Sequence, residues 1–123
     1  MIVVDASAFA ELILGGGRAP LDRDFHAPSV CDLELASTVR RLLRSRRLTL
    51  EGAATAIAEY LSMPLTRYQH TALLGRVLEL RDNFTAYDAS YVALAEWLEA
   101  PLLTADRRLA RAVRRHVPHV ALA

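Results

Sequence analysis

A chain of 123 residues, 53% of them hydrophobic and with 15 basic against 14 acidic side chains, is sized for one folded core and too short for two. This balance excludes the disordered and acidic-tail classes, and the single cysteine, Cys31, excludes an internal disulfide and points to a reducing compartment. All 15 basic residues are arginine, so Gly15-Gly16-Gly17 is not a phosphate loop, which needs a lysine, and the phospho-acceptor receiver class is excluded on the same ground.

Met1 to Asp5 lack the charged start and long apolar run of a signal peptide, and no apolar stretch approaches the roughly 18 residues of a membrane span, so the expected setting is the cytoplasm. Ile2 to Val4 reads as a short buried strand feeding a helix from Ala6 to about Leu14, which the three glycines and Pro20 end. The stretch through His26-Ala27-Pro28 reads as irregular. Cys31, Leu35, Val39 and Leu42 then recur at helical spacing and predict a helix from about Ser29 to Ser45, and a second from about Leu50 to Leu61 completes a helical hairpin that Pro64 breaks. Leu65 to Arg67 suits a short strand, followed by a helix from about His70 to Leu80. Thr85 opens the next helix, with Tyr87, Tyr91, Leu94 and Leu98 on one face, ending before Pro101. Leu102-Leu103 reads as a strand, a helix follows Asp106, and Val117 to Leu122 is a last short strand interrupted by Pro118. Strands alternating with helices predict a single α/β domain over residues 1–123, with a parallel sheet covered on both faces.

Acids occupy suggestive places in this pattern. In an open parallel sheet, ligands bind just beyond the C-terminal ends of the strands. Asp5 follows the first predicted strand and Asp106 follows Leu102-Leu103. Each also precedes a helix, where aspartate is a favoured N-cap, and Asp88 follows Thr85 at capping-box spacing. Glu34 lies about 100° around its helix from Leu35, at the flank of the buried stripe, with Thr38 and Arg41 beside it. It can snorkel to water, pair with Arg41, or join the aspartates. Four converging carboxylates would repel one another and take up a hard cation such as Mg²⁺ or Mn²⁺. A metal held this way can activate water for in-line attack on a phosphodiester. Ser7 and Thr104, each two residues from an acid, can hold a carboxylate or simply make helix-entry hydrogen bonds. Cys31 reads as a small core residue, His26, His70, His116 and His119 show no zinc spacing, and His116/His119 reads as a surface pair. Arginine clusters at 40–47 and 107–115 permit a nucleic-acid partner or serve only as a solvated face.

The order and spacing of Val3-Val4-Asp5-Ala6-Ser7-Ala8, Glu34-Leu35-Ala36 with Val39-Arg40-Arg41, Tyr87-Asp88-Ala89 with Tyr91-Val92-Ala93-Leu94-Ala95, and Leu102-Leu103-Thr104-Ala105-Asp106-Arg107-Arg108-Leu109 resemble a PIN-domain ribonuclease. More narrowly, the chain resembles a VapC-type toxin of bacterial type II toxin–antitoxin pairs, over nearly its whole length. The resemblance implies a Rossmann-like α/β/α sandwich with a central parallel sheet and Mg²⁺ or Mn²⁺ at an acidic cluster. It implies endonucleolytic cleavage of RNA, a homodimer, and silencing by a cognate antitoxin. Carried over by position, the metal-binding and catalytic acids are Asp5, Glu34, Asp88 and Asp106, the last most often supportive, with Ser7 and Thr104 as polar neighbours. Ser37 and Thr38 depart from the asparagine and small apolar residue often found after the glutamate, but no acid is lost. The competing readings are a catalytically silent RNA- or protein-binding module, which would be expected to lack an acid, and a DNA nuclease using the same metal chemistry. An aspartyl-phosphate phosphatase is disfavoured because Ser7 stands where its second aspartate belongs and lysine is absent.

Overall fold

Ile2-Val3-Val4 is the middle strand of a five-stranded parallel sheet in the computed structural model of the protein, which describes residues 1–16, 23–117 and 120–122. The elements follow in chain order: β1 (Ile2–Val4), α1 (Ala6–Leu14), β2 (Phe25–Pro28), α2 (Val30–Arg44), α3 (Leu50–Ser62) and β3 (Leu65–Tyr68). After a 3₁₀ turn at His70–Leu73 come α4 (Leu74–Glu79), α5 (Ala86–Leu98), β4 (Leu102–Thr104), α6 (Arg107–Val113) and β5 (Val120–Leu122).

The strand order is β3-β2-β1-β4-β5, with every pairing parallel. The chain winds outward from β1 to β3, then crosses back to β4 on the other side of β1, so the order reverses between β1 and β4. Right-handed crossovers place α1, α2 and α3 on one face and the helices leading to β4 and β5 on the other. The expected α/β sandwich is therefore present. Asp5 and Asp106 both follow strands that border the point of reversal, which is where such sheets open a ligand crevice.

Burial explains why short strands suffice. Val3, Val4, Phe25 and Leu102 are fully enclosed, and Phe9 of α1 meets Phe25 and Tyr60 edge-on at centroid distances of 5.7 and 5.2 Å. Such pairs contribute about 0.5–1.5 kcal/mol each beyond the area they bury. The hairpin of α2 and α3 closes over a smaller cluster of Val39, Ala53 and Ala56. Gly15 ends α1, and Gly16 adopts φ +72, a conformation that favours glycine. Gly17, Pro20, Pro118 and His119, named in the sequence reading, lie outside the described residues.

Four expectations need correction. The stretch read as irregular is β2, buried throughout. It has no β-branched run to announce it; its polar His26 is accommodated by Tyr68 Oη at 2.6 Å and Asp24 at 2.9 Å, and Ser29 N–H continues the pairing past Pro28 by donating to the Tyr68 carbonyl. The helix expected over 70–80 is split into a 3₁₀ turn and the short α4. Tyr87 does not share the buried face of Tyr91 and Leu94; it is 58% exposed in the first turn of α5, beyond the fully buried run Ala89–Ala95. His116 is half-buried and packs edge-on against Phe84, rather than standing free at the surface.

Candidate active site

Asp5 caps α1 through its Oδ1, which accepts from Ala8 N at 2.9 Å, so the modest capping role is real. It does not exhaust the residue. The same oxygen accepts from Ser7 Oγ at 2.7 Å, and Oδ2 accepts from Thr104 Oγ1 at 2.6 Å. Ser7 and Thr104 are themselves 3.1 Å apart, Ala105 N donates to Ser7 Oγ, and Asp106 N donates to Thr104 Oγ1. The two hydroxyls thus join the turn after β1 to the turn after β4, and they fix the Asp5 carboxylate in place. They do more than cap a helix.

Thr85 caps α5 by accepting from Asp88 N, leaving the Asp88 carboxylate in the cleft. Glu34, one turn into α2, accepts from Tyr91 Oη at 2.6 Å. Tyr91 lies three residues after Asp88 and therefore on the same side of α5, so one helix supplies an acid and the clamp for another. Asp106 caps α6 with Oδ1, which accepts from Arg108 N and Leu109 N.

Asp5, Glu34, Asp88 and Asp106 line one open cleft of about 300 Å³ with Ser7, Ser37, Thr38, Arg41 and Tyr91. The four acids singled out from sequence therefore come together. Burial pushes the Asp5 carboxyl above its ordinary range despite three hydrogen-bond donors, and the charge of Asp88 adds to the effect. Burial likewise raises the Glu34 carboxyl against the pull of Tyr91, with Asp88 and Asp5 adding repulsion. Asp5, Glu34 and Asp88 thus form a mutually repelling inner group, whereas Asp106 stands at the rim.

Arg41 forms no ion pair among the described residues; Glu34, for which pairing with Arg41 was one alternative, instead accepts from Tyr91 and joins the aspartates in the cleft. Sequence reasoning placed Tyr91 in the core and Arg108 in a general basic cluster, and missed both as neighbours of the acids. The signals were present in the spacing of three from Asp88 to Tyr91 and of two from Asp106 to Arg108. Cys31 behaves as expected: it is fully buried, and desolvation raises its thiol to about 11.

All the polar groups that line the cleft, apart from Arg41, offer oxygen. Among the described residues no three His, Cys, Asp or Glu side chains are drawn tightly enough together to enclose an ion on their own. That donor chemistry fits a hard cation retaining much of its water, which is the habit of Mg²⁺ rather than of zinc.

The class of protein follows from the fold and from where the acids sit. A protein from Pyrobaculum aerophilum superimposes with a TM-score of 0.69 at 22% identity, over 90% of this chain and 83% of that one. Mycobacterium tuberculosis VapC20 superimposes at 0.68 and 20% identity, over 91% and 95%. The fold is that of the PIN domain. No family model matches the chain. Its sequence, however, is 44% identical over 112 residues to Ribonuclease VapC9 of Mycobacterium tuberculosis, covering 89% of this chain and 88% of that relative. Ribonuclease VapC12 of the same species is 36% identical over 117 residues, covering 90% and 91%. The chain belongs to the VapC ribonuclease family.

Proposed function

We propose that the protein is a Mg²⁺-dependent endoribonuclease, active also with Mn²⁺, that hydrolyses RNA phosphodiester bonds and acts in the cytoplasm as the toxin of a toxin–antitoxin pair. The observation that carries this reading is the convergence of Asp5, Glu34, Asp88 and Asp106 on one cleft at the point of strand reversal. Kinship with ribonucleases over nearly the whole chain supports RNA as the substrate.

In this reading Asp5, Glu34 and Asp88 hold the cation, with Asp106 supporting them. The metal, when bound, lowers the pKa of a water and offsets charge on the phosphate. The chain's own residues do the rest. Ser7 and Thr104 keep the Asp5 carboxylate fixed, and the Tyr91 hydroxyl keeps Glu34 turned into the cleft. The openness of the cleft suits a polymer that must lie across it, and Arg41 adds a positive charge to the lining that the acids otherwise make negative.

The expected partners are RNA, a cognate antitoxin protein and a second copy of the chain. Leu74, Leu78, Tyr87 and Trp97 of α4 and α5 are each more than half exposed, apolar surface that a homodimer could cover. No helix among the described residues is long and apolar enough to cross a membrane.

Purified, antitoxin-free protein incubated with total cellular RNA tests the reading. Discrete fragments that require Mg²⁺ or Mn²⁺, disappear with EDTA and are not produced from DNA are expected. A folded protein that binds RNA but never cleaves it would establish the silent binding module instead.

A further inference from the structure

Arg108 occupies a place that the proposed chemistry leaves unexplained. Its Nη2 lies 3.3 Å from Asp88 Oδ2 and 3.6 Å from Asp106 Oδ2, so one guanidinium nitrogen bridges two of the four acids. Asp106 Oδ1 is already committed to the backbone amides of Arg108 and Leu109, which leaves Oδ2 as the oxygen free to face the cleft. Arg108 pairs with that very oxygen. A cation that takes Asp88 Oδ2 and Asp106 Oδ2 together must displace it.

The displacement is cheap. The Arg108 side chain is 67% exposed, and ion pairs of that exposure are weak because water competes for both partners. A divalent cation attracts the same carboxylates with twice the charge. Once released, the guanidinium remains anchored by its backbone at the start of α6, beside a cleft whose acids repel RNA. A planar cation there is suited to a phosphate oxygen.

We infer that Arg108 is an exchangeable counter-cation: it neutralises Asp88 and Asp106 while the metal is absent, yields them when the metal enters, and then binds a phosphate of the RNA next to the scissile bond. This rests on the metal-dependent ribonuclease reading and extends it to a substrate-binding residue.

The test uses antitoxin-free protein and Mn²⁺ alone, with free Mn²⁺ followed by electron paramagnetic resonance. Arg108→Gln keeps the backbone amide that caps against Asp106 and removes only the competing charge. It is expected to bind Mn²⁺ about three- to five-fold tighter than wild type, with Arg108→Lys close to wild type. In cleavage of a short single-stranded RNA, Arg108→Gln should raise KM more than it lowers kcat, and flatten the plot of log KM against log salt by about 0.7. Equal or weaker Mn²⁺ binding by Arg108→Gln, in a series where wild type binds, overturns the exchange. Tighter Mn²⁺ binding with unchanged KM and salt slope overturns the phosphate contact. Absence of Mn²⁺ uptake by wild type overturns the metal reading itself, and the exchange with it.

Discussion

Asp5 and Asp106 close neighbouring parallel strands, and each caps the helix that follows, yet their surroundings diverge. Asp5 is buried, both of its oxygens are held by donors from its own turn and from Thr104, and its carboxyl is pushed above the ordinary range. The Asp106 side chain is 38% exposed, spends one oxygen on the cap and shares the other with Arg108. The same residue type at the same βα junction therefore has two physical characters. At Asp5 the fold sustains a costly charge in a fixed position, which a bound cation would relieve. At Asp106 water and an arginine already balance the charge, so the protein depends on it less.

The largest expected effect is at the buried end. Asp5→Asn removes the charge with little change in volume and keeps a residue able to cap α1. Cleavage should fall to the level seen with EDTA, while Tm moves by no more than about 5 °C. Full activity in a folded, metal-replete Asp5→Asn protein would refute the site. Next comes Thr104→Val. Thr104 is fully buried, and its hydroxyl both donates to Asp5 and accepts from Asp106 N, so the nearly isosteric change leaves both groups short of a partner. A loss of about 1–3 kcal/mol in urea unfolding is expected. Cleavage should drop about 10- to 100-fold, as it does when the support of a metal ligand is removed. Thr104→Ser restores the hydroxyl and should recover most of both.

Metal addition sharpens the same contrast. Because repulsion among Asp5, Glu34 and Asp88 exists only in the folded protein, Mg²⁺ should raise Tm, with a gain of about 2.7 kcal/mol at one hundred times its Kd. The gain should be largely lost in Asp5→Asn and mostly kept in Asp106→Asn. Equal loss in both variants, read by thermal melting across a Mg²⁺ titration, would erase the distinction between the inner group and the rim.

The parts legible in the sequence were those governed by local rules. Ile2–Val4 announces a buried strand, the stripe from Cys31 to Leu42 announces α2, and Asp5, Thr85 and Asp106 stand at helix starts because their side chains accept from free amides. Asp5, Asp106 and Glu34 stood out because strand ends and helix flanks have predictable directions, whereas Asp88 read from its spacing only as part of a helix cap and joined the set through the family resemblance. β2 was not, since its stability comes from neighbours on both sides and from partners for His26 that lie in sequence at 24 and 68. Tyr91 and Arg108 were missed for a related reason. A tyrosine on an apolar stripe and an arginine in a basic run each look ordinary until the fold shows which carboxylate they meet.

The smallest predicted effect is the one that best divides capping from chemistry. Asp106→Asn retains an N-cap of comparable quality, so stability should stay within about 0.5 kcal/mol of wild type, while cleavage falls about ten-fold through loss of a supporting charge. Asp106→Ala loses the cap as well and should cost about 1 kcal/mol in urea unfolding, with cleavage no lower than in Asp106→Asn. If activity instead tracked stability across the two variants, Asp106 would matter only as the start of α6. If Asp106→Asn were as inactive as Asp5→Asn, the rim acid would belong to the inner group, and exposure would not predict how much an acid contributes at this site.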